Sequence, residues 1–311
     1  MSYKIGIIGA ARRHQGTGPF IARIFAGLGH EISGVVGTSE KSTRQAVSSL
    51  SSHYGIDTQG YTHCQALLDQ HDIDVLVIAS PPDSHLNYLK FAADNNLHIF
   101  CEKPFWWPAN KLELVPYLHS LQTIITKSTT NQRYIHLNTQ WPYTLKDFSQ
   151  LYPKAIINNE IKQFAMHLCP QSTGVSMLID GASHGLSMLY QLVGAGTLNQ
   201  IEVTHESDGV VIDFDYHHHQ GVTKSTLGFQ QSSETPKPAS YQINGCVVHR
   251  TVSLPEYEIQ LQSDHHTISI QDPLDASIRD FLASIDAGLE SDECALILGA
   301  HHLHQLIENY K

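Results

Sequence analysis

The chain has 311 residues, with 19 basic and 30 acidic side chains, a formal charge of −11 and 21 histidines. This acidic balance argues against a nucleic-acid partner or attraction to an anionic membrane. The five scattered cysteines form no disulfide framework, and the first residues lack the cationic start of a signal peptide. We therefore expect a cytoplasmic protein.

The first hundred residues alternate between short apolar runs and helical patterns, with Gly or Pro at many boundaries. The predicted strands are 4–9, 31–37, 74–79 and 97–101, and the predicted helices are 19–28, 42–54, 64–71 and 84–95. Alternation of this kind predicts an α/β fold with a doubly wound parallel sheet, a Rossmann domain over residues 1–122.

After residue 122 the predicted strands become longer and more polar, which is typical of an antiparallel sheet with one wet face. They span 161–168, 201–205, 210–217, 221–230, 241–252, 257–263 and 266–270. Helices are predicted at 176–193, 273–288 and 293–310. We expect residues 123–311 to form an α+β domain with a large, open, mostly antiparallel sheet, whose C-terminal helix packs back on the first domain.

The turn after the first strand contains Gly9, Ala10, Ala11, Arg12 and Arg13. In a dinucleotide-binding fold, glycines here let the backbone approach a pyrophosphate at a helix N-terminus. The usual second glycine is replaced by Ala11, so a glycine-rich turn without a ligand is an equal alternative. The two arginines favour phosphate binding.

The second strand is followed by Thr38 and Ser39, where an acidic residue would bind the ribose 2′-hydroxyl of NAD. Hydroxyls with Lys41 and Arg44 nearby tolerate a 2′-phosphate better than a carboxylate does. The pattern slightly favours NADP over NAD as the cofactor. The alternative is that both cations are ordinary charges on a helix surface.

The next two strands end in a more specific pattern. One ends in Ser80 and Pro81, with His85 shortly after, and the other ends in Glu102 and Lys103 before a proline. Residues 54–105 resemble the glucose–fructose oxidoreductase/inositol dehydrogenase (Gfo/Idh/MocA) family, and the resemblance extends to the segment after residue 272.

This resemblance implies that Lys103 lies beside a nicotinamide and the substrate hydroxyl, next to a cis peptide. It also implies that Ser80, Pro81, His85 and Glu102 line the cofactor cleft. Considered alone, Lys103 would more simply be a lysine on a surface loop.

Asp180 and His184 are spaced like the Asp-x-x-x-His helix of this family. Four residues apart, they share a helix face and could form an acid–base couple. An i,i+4 pair with no catalytic role is the alternative. Gln140 and Trp141 stand where the family often has Arg-Phe, and Trp141 is a candidate substrate contact. Trp106 is another candidate, although packing at a domain boundary explains it at least equally well.

The histidines show no metal-ligand spacing, so we expect no metal. His184 and His85 are the two expected to function, and the others are interpreted as surface or loop residues.

These patterns predict an NAD(P)-dependent oxidoreductase that transfers hydride between the nicotinamide and a carbinol or carbonyl carbon of a sugar, polyol or related small molecule. We expect a homodimer or homotetramer. The alternatives are a non-catalytic dinucleotide-binding regulator of the same fold, or an enzyme acting on an imine or enzyme-bound substrate.

Overall fold

A computed structural model describes residues 2–11, 16–107, 114–156 and 160–310. The chain forms two compact units, residues 1–138 with 274–293 and residues 139–273 with 294–311. The division expected after residue 122 lies inside the helix Leu114–Thr130. The last helix was expected to pack on the first domain. Instead, it is the helix before it, Pro273–Asp286, that belongs to the first unit.

The first unit contains a parallel sheet, as predicted. Within the described residues its strands are β1 (Lys4–Ile8), β2 (Glu31–Val36), β3 (Gln59–Tyr61), β4 (Val75–Ile78), β5 (His98–Glu102) and β6 (Ile135–Asn138). They pair in the order β3-β2-β1-β4-β5-β6, which is the doubly wound arrangement. Strands β4 and β5 are buried along their whole length because helices cover both faces of such a sheet.

The helices of this unit are α1 (Gly18–Gly27), α2 (Glu40–Tyr54), α3 (Cys64–Leu68), α4 (His85–Asp94), α5 (Leu114–Thr130) and, from far along the chain, α8 (Pro273–Asp286). Helix α8 completes the core through Phe281. Its ring meets Phe25 of α1 and Phe100 of β5 edge to face, with centroids 6.3 and 5.4 Å away.

The second unit contains a larger sheet. Its strands within the described residues are β7 (Gln163–Leu168), β8 (Gly196–His205), β9 (Gly209–His218), β10 (Gly221–Gln230), β11 (Ala239–Ile243), β12 (Cys246–Ser253), β13 (Glu258–Gln262) and β14 (Thr267–Ile270). They pair in the order β14-β13-β12-β11-β7-β10-β9-β8, and β7 with β10 is the parallel pair. The predicted mostly antiparallel sheet is confirmed.

Helices α6 (Leu145–Leu151), α7 (Ser176–Val193) and α9 (Glu293–Asn309) accompany this sheet. Helix α7 lies close to strand β10 because two of its glycines leave room for large side chains. A Cβ at Gly181 would lie 2.3 Å from the Phe229 ring, and a Cβ at Gly185 would lie 2.3 Å from Leu227. These contacts fix the helix that carries Asp180 and His184.

One predicted strand is wrong. The span 241–252 is a hairpin, β11 and β12, joined by Asn244 and Gly245 with φ of +49° and +83°. An Asn-Gly pair with both residues at positive φ makes the tight turn that matches the strand twist. The sequence carried this signal, and the continuous apolar pattern around it concealed the turn.

Candidate functional site

In the turn after β1, two glycines lie close to neighbouring backbone atoms. Gly9 has φ +89°, and a Cβ there would lie 2.5 Å from the Ala79 carbonyl oxygen. A Cβ at Gly18, the first residue of α1, would lie 3.0 Å from the Gly9 carbonyl oxygen. Of the other predicted cofactor residues here, Ala10 is buried and Ala11 half-buried, whereas Arg12 and Arg13 lie outside the described residues.

This crowding brings the N-terminus of α1 directly against the end of β1. Backbone N–H groups at such a helix N-terminus suit the phosphates of a dinucleotide. The described part of the turn therefore fits the cofactor that the sequence predicts.

The residues after β2 are engaged with one another. Ser39 caps α2, with its Oγ accepting from the Ser42 N–H at 3.2 Å and its N–H donating to Ser42 Oγ at 3.1 Å. Arg44 forms an exposed ion pair with Glu40 at 3.2 Å. The Glu40 carboxylate partly offsets the positive charge of Arg44, which was expected to favour binding of a 2′-phosphate.

His85 joins the loops that follow β4 and β5. Its imidazole is fully buried, with Nε2 2.9 Å from the Ser80 carbonyl oxygen and Nδ1 3.0 Å from the Pro104 carbonyl oxygen. Because a carbonyl oxygen only accepts, the doubly protonated ring is the form that makes both bonds at once. The peptide between Lys103 and Pro104 is cis, as the resemblance implies.

Glu102 lies buried at the end of β5, next to Lys103. Burial raises the pKa of its carboxyl group, while hydrogen bonds from Asn138 and Thr17 and the positive charge of Lys103 act in the opposite direction. The Asn138 amide nitrogen lies 2.6 Å from Glu102 Oε1. The Thr17 contact places the end of β5 beside the glycine-rich turn.

A chain of hydrogen bonds continues from this carboxyl group to α8. The Ser277 hydroxyl donates to the Asn138 carboxamide oxygen at 2.8 Å, and His136 Nε2 lies 2.8 Å from the same hydroxyl. Burial lowers the pKa of His136 to about 4. No sequence pattern indicates this network, because its members are far apart along the chain and each is a common residue.

In the second unit, His184 is oriented by a backbone group that the sequence analysis missed. Its Nδ1 lies 2.6 Å from the Thr139 carbonyl oxygen. Since that oxygen only accepts, the bond places a proton on Nδ1, and Nε2 is the basic atom of the neutral ring. Asp180 and His184, both half-buried, belong to the second unit, whereas Lys103 belongs to the first.

The two candidate substrate tryptophans are largely enclosed. Trp106 is 5% exposed and its indole N–H donates to the Asp83 carbonyl oxygen at 3.3 Å. Trp141 is 7% exposed, with its ring 6.5 Å from that of His184. Both side chains have the packing role that the sequence left open, and contact with a substrate stays a prediction.

The expectation that the histidines other than His184 and His85 are surface or loop residues is wrong for three of them. His98, His136 and His302 are buried, and burial lowers the pKa of each to about 4. Each finds a hydrogen-bond partner, which is how a buried neutral imidazole is accommodated. Among the described residues, no cluster of three His, Cys, Asp or Glu could hold a metal ion.

Comparison with known protein families gives a match over the first unit. Residues 3–124 match the Gfo/Idh/MocA family, described as an oxidoreductase family with an NAD-binding Rossmann fold. The match covers less than half of the chain, and over residues 3–124 it confirms the predicted resemblance. A search of curated proteins finds no match.

Solved structures extend the likeness to the whole chain. The myo-inositol 2-dehydrogenase of Lactobacillus plantarum is 13% identical with a TM-score of 0.74, covering 100% of this chain and 97% of its own. A levoglucosan dehydrogenase in complex with NADH and L-sorbose is 13% identical, with a TM-score of 0.73 and the same coverage. A 3-ketoreductase from Actinomadura kijaniata, in complex with TDP-benzene and NADP, is 15% identical, has a TM-score of 0.70 and covers 99% of this chain and 98% of its own. At these identities the likeness shows the fold.

Proposed function

We propose that the protein is an NAD(P)-dependent dehydrogenase or reductase acting on a CH–OH group of a sugar, polyol or related small molecule. The observation that carries the proposal is the hydrogen bond between Thr17 and Glu102, the residue before Lys103, because it joins the end of β5 to the glycine-rich turn of a domain that matches an NAD-binding family. The first unit binds the dinucleotide, and the second binds the substrate.

Each candidate catalytic residue has one role in this reaction. His184 takes the proton of the substrate hydroxyl at Nε2, while its Nδ1–H remains bonded to the Thr139 carbonyl oxygen. Asp180, one helical turn earlier, supports the imidazolium that forms. Lys103 donates a hydrogen bond to the same substrate oxygen and stabilises its developing negative charge. The bound nicotinamide supplies the hydride acceptor or donor.

The residues proposed to bind the cofactor, among those that the structure describes, are Gly9, Ala10, Ala11, Thr38, Ser39, Ser80, Pro81, His85, Glu102 and Lys103. NADP is slightly favoured over NAD, because no carboxylate directly follows β2 and Lys41 is exposed. The ion pair of Arg44 with Glu40 weakens this preference without reversing it. Fluorescence titration of the full chain with NADPH and NADH decides it, and clearly tighter binding of NADH would remove the preference.

The activity is tested by incubating the protein with inositols, aldoses and polyols, with NAD⁺ or NADP⁺, and following absorbance of the reduced nicotinamide. Lys103→Ala should lose turnover by at least about a hundredfold while retaining cofactor binding. Lys90→Ala, a lysine exposed on α4, is the matched control and should behave as wild type. Wild-type turnover by Lys103→Ala would remove this lysine from the mechanism.

A non-catalytic dinucleotide-binding regulator is the second candidate function. The replacement of the usual second glycine by Ala11, and the Gln140–Trp141 pair where the family has Arg-Phe, favour it. Tight cofactor binding with no turnover on any substrate, together with wild-type behaviour of Lys103→Ala, would support the regulator.

We also propose a cytoplasmic homodimer or homotetramer that uses a small-molecule substrate. The polar outer face of the β7–β14 sheet, with exposed His167, Lys224 and His249, is the surface proposed for self-association. No helix among the described residues is long and apolar enough to cross a membrane. Light scattering of the purified protein at micromolar concentration measures the oligomeric state.

A further inference from the structure

The backbone at Gln140 adopts a rare conformation immediately before a buried tryptophan. Its φ and ψ are +63° and −52°, and the Trp141 N–H donates to the Thr139 carbonyl oxygen at 2.7 Å. A hydrogen bond spanning three residues with positive φ at the centre defines the strained form of the γ-turn. A non-glycine residue in such a conformation costs about 1–3 kcal/mol, so the surrounding structure must hold it.

Contacts of Trp141, the residue that follows Gln140, stabilise this conformation. Trp141 packs edge to face on Tyr241 with centroids 6.0 Å apart, and the Arg250 guanidinium lies 5.5 Å from its ring centre. The Thr144 hydroxyl lies 2.8 Å from the Trp141 carbonyl oxygen and 3.0 Å from the Tyr241 hydroxyl. Enclosed on these sides, Trp141 cannot relax the turn by moving away.

The carbonyl oxygen inside this turn is the same one that His184 uses. Thr139 O accepts from Trp141 N at 2.7 Å and lies 2.6 Å from His184 Nδ1. The direction of that carbonyl group is set by the peptide plane between Thr139 and Gln140. Rotating Gln140 to negative φ would turn this plane and break both contacts.

We propose that the γ-turn at Gln140 is the positioning device for His184, fixing the neutral ring with its proton on Nδ1. The role of His184 as base rests on the proposed function, whereas the turn and the tautomer are properties of the second unit alone. Gln140 acts through the Thr139 carbonyl oxygen and is a positioning residue. Asp180 shares the helix face of His184, whereas the Thr139 carbonyl oxygen comes from another segment of the second unit.

The chain offers variants that separate this role from general backbone strain. Gln140→Pro forces negative φ, and Gln140→Val makes positive φ costlier because its Cβ is branched. Gln140→Gly accepts positive φ and should retain the turn. Gln140→Ala keeps the Cβ and deletes the carboxamide. Gln132→Val and Gln200→Val are matched controls, because those glutamines also have positive φ, +55° and +53°, and neither belongs to the γ-turn.

The readout is the tautomer of His184, measured on the full chain by two-bond proton–nitrogen NMR of the imidazole, with assignment by a His184→Gln spectrum. Wild type, Gln140→Ala and both controls should show a proton on Nδ1. Gln140→Gly should also keep the proton on Nδ1, and it should keep or raise the melting temperature because glycine accepts positive φ. Gln140→Pro and Gln140→Val should show a substantial population with the proton on Nε2. If the Pro variant does not fold, the Val variant decides the test.

Activity gives a second, separable readout. On a substrate that wild type turns over, Gln140→Val should lower kcat about tenfold with little change in KM, since the binding groups stay in place and the base is misdirected. Wild-type protein with the proton on Nε2, or a Gln140→Val variant with unchanged tautomer and kcat, would overturn the proposal. The expected tautomers without turnover on any substrate would refute the proposed function and leave the positioning role intact.

Discussion

Replacing Asn138 by aspartate places two carboxyl groups in contact inside the first unit. Asn138 now donates to Glu102 Oε1 at 2.6 Å and accepts from Ser277 at 2.8 Å. Aspartate still accepts from the serine, but it donates to Glu102 when protonated and not when ionised. Two carboxyl groups this close cannot both ionise, so the folded pair retains one proton that the unfolded chain has lost above about pH 5.

The size of the effect follows from that proton. Folding takes up one proton, so stability falls as pH rises, by up to about 1.4 kcal/mol for each pH unit relative to wild type. At pH 5 the shared proton makes the hydrogen bond that the amide made, and the free energy of unfolding is about 1 kcal/mol or less below that of wild type. At pH 7 this difference reaches about 3 kcal/mol, a large share of the stability of an ordinary domain.

Urea unfolding followed by circular dichroism at pH 5, 6 and 7 measures this slope. Asn131→Asp is the matched control, because Asn131 is exposed in the same unit. The control should follow wild type at all three pH values. If the stability of Asn138→Asp falls no more steeply with pH than that of Asn131→Asp, the two carboxyl groups do not share a proton.

Three further outcomes follow from buried groups. Because burial lowers the pKa of His136 to about 4, stability is full above pH 6.5, and about 2 kcal/mol of it is lost as the pH falls to 5. In urea unfolding, the stability of His136→Asn should fall less steeply with decreasing pH than that of wild type. His85→Asn leaves at least one buried carbonyl without its donor and should lower stability by about 1–3 kcal/mol in thermal unfolding, whereas the exposed His53→Asn should not. Iodoacetamide should modify the exposed Cys294 well before Cys101, whose thiol pKa is raised by burial, and equal labelling by mass spectrometry would contradict the burial.

The fold class was predictable because its signals are local and repeated. Apolar runs such as Val75–Ile78 end in glycine, proline or serine, and strand–helix alternation allows few topologies. Shorter or interrupted elements escaped: β3 has only three residues, and the turn at Asn244 divided what looked like a single strand.

The candidate site was predictable only where function needs a particular side chain. Lys103, Asp180 and His184 stand in spaced motifs, so the sequence displays them. His184 is oriented by the backbone carbonyl of Thr139 and His85 by that of Pro104, and a carbonyl is present at every position regardless of residue type. Their contribution depends on conformation, which no local pattern encodes.

The return of α8 to the first unit has a consequence for how the molecule is made. Phe281 and Ile278 share one apolar core with Phe25 and Phe100, although more than 170 residues separate Phe100 from Ile278. During synthesis the nascent first unit leaves the ribosome with the α8 position of its core open, and it stays so until the entire β7–β14 sheet has followed. The core of the first unit therefore stays incomplete while the second unit is translated. A fragment ending at Asn138 should expose the apolar surface that α8 covers, and it should require chaperones or aggregate.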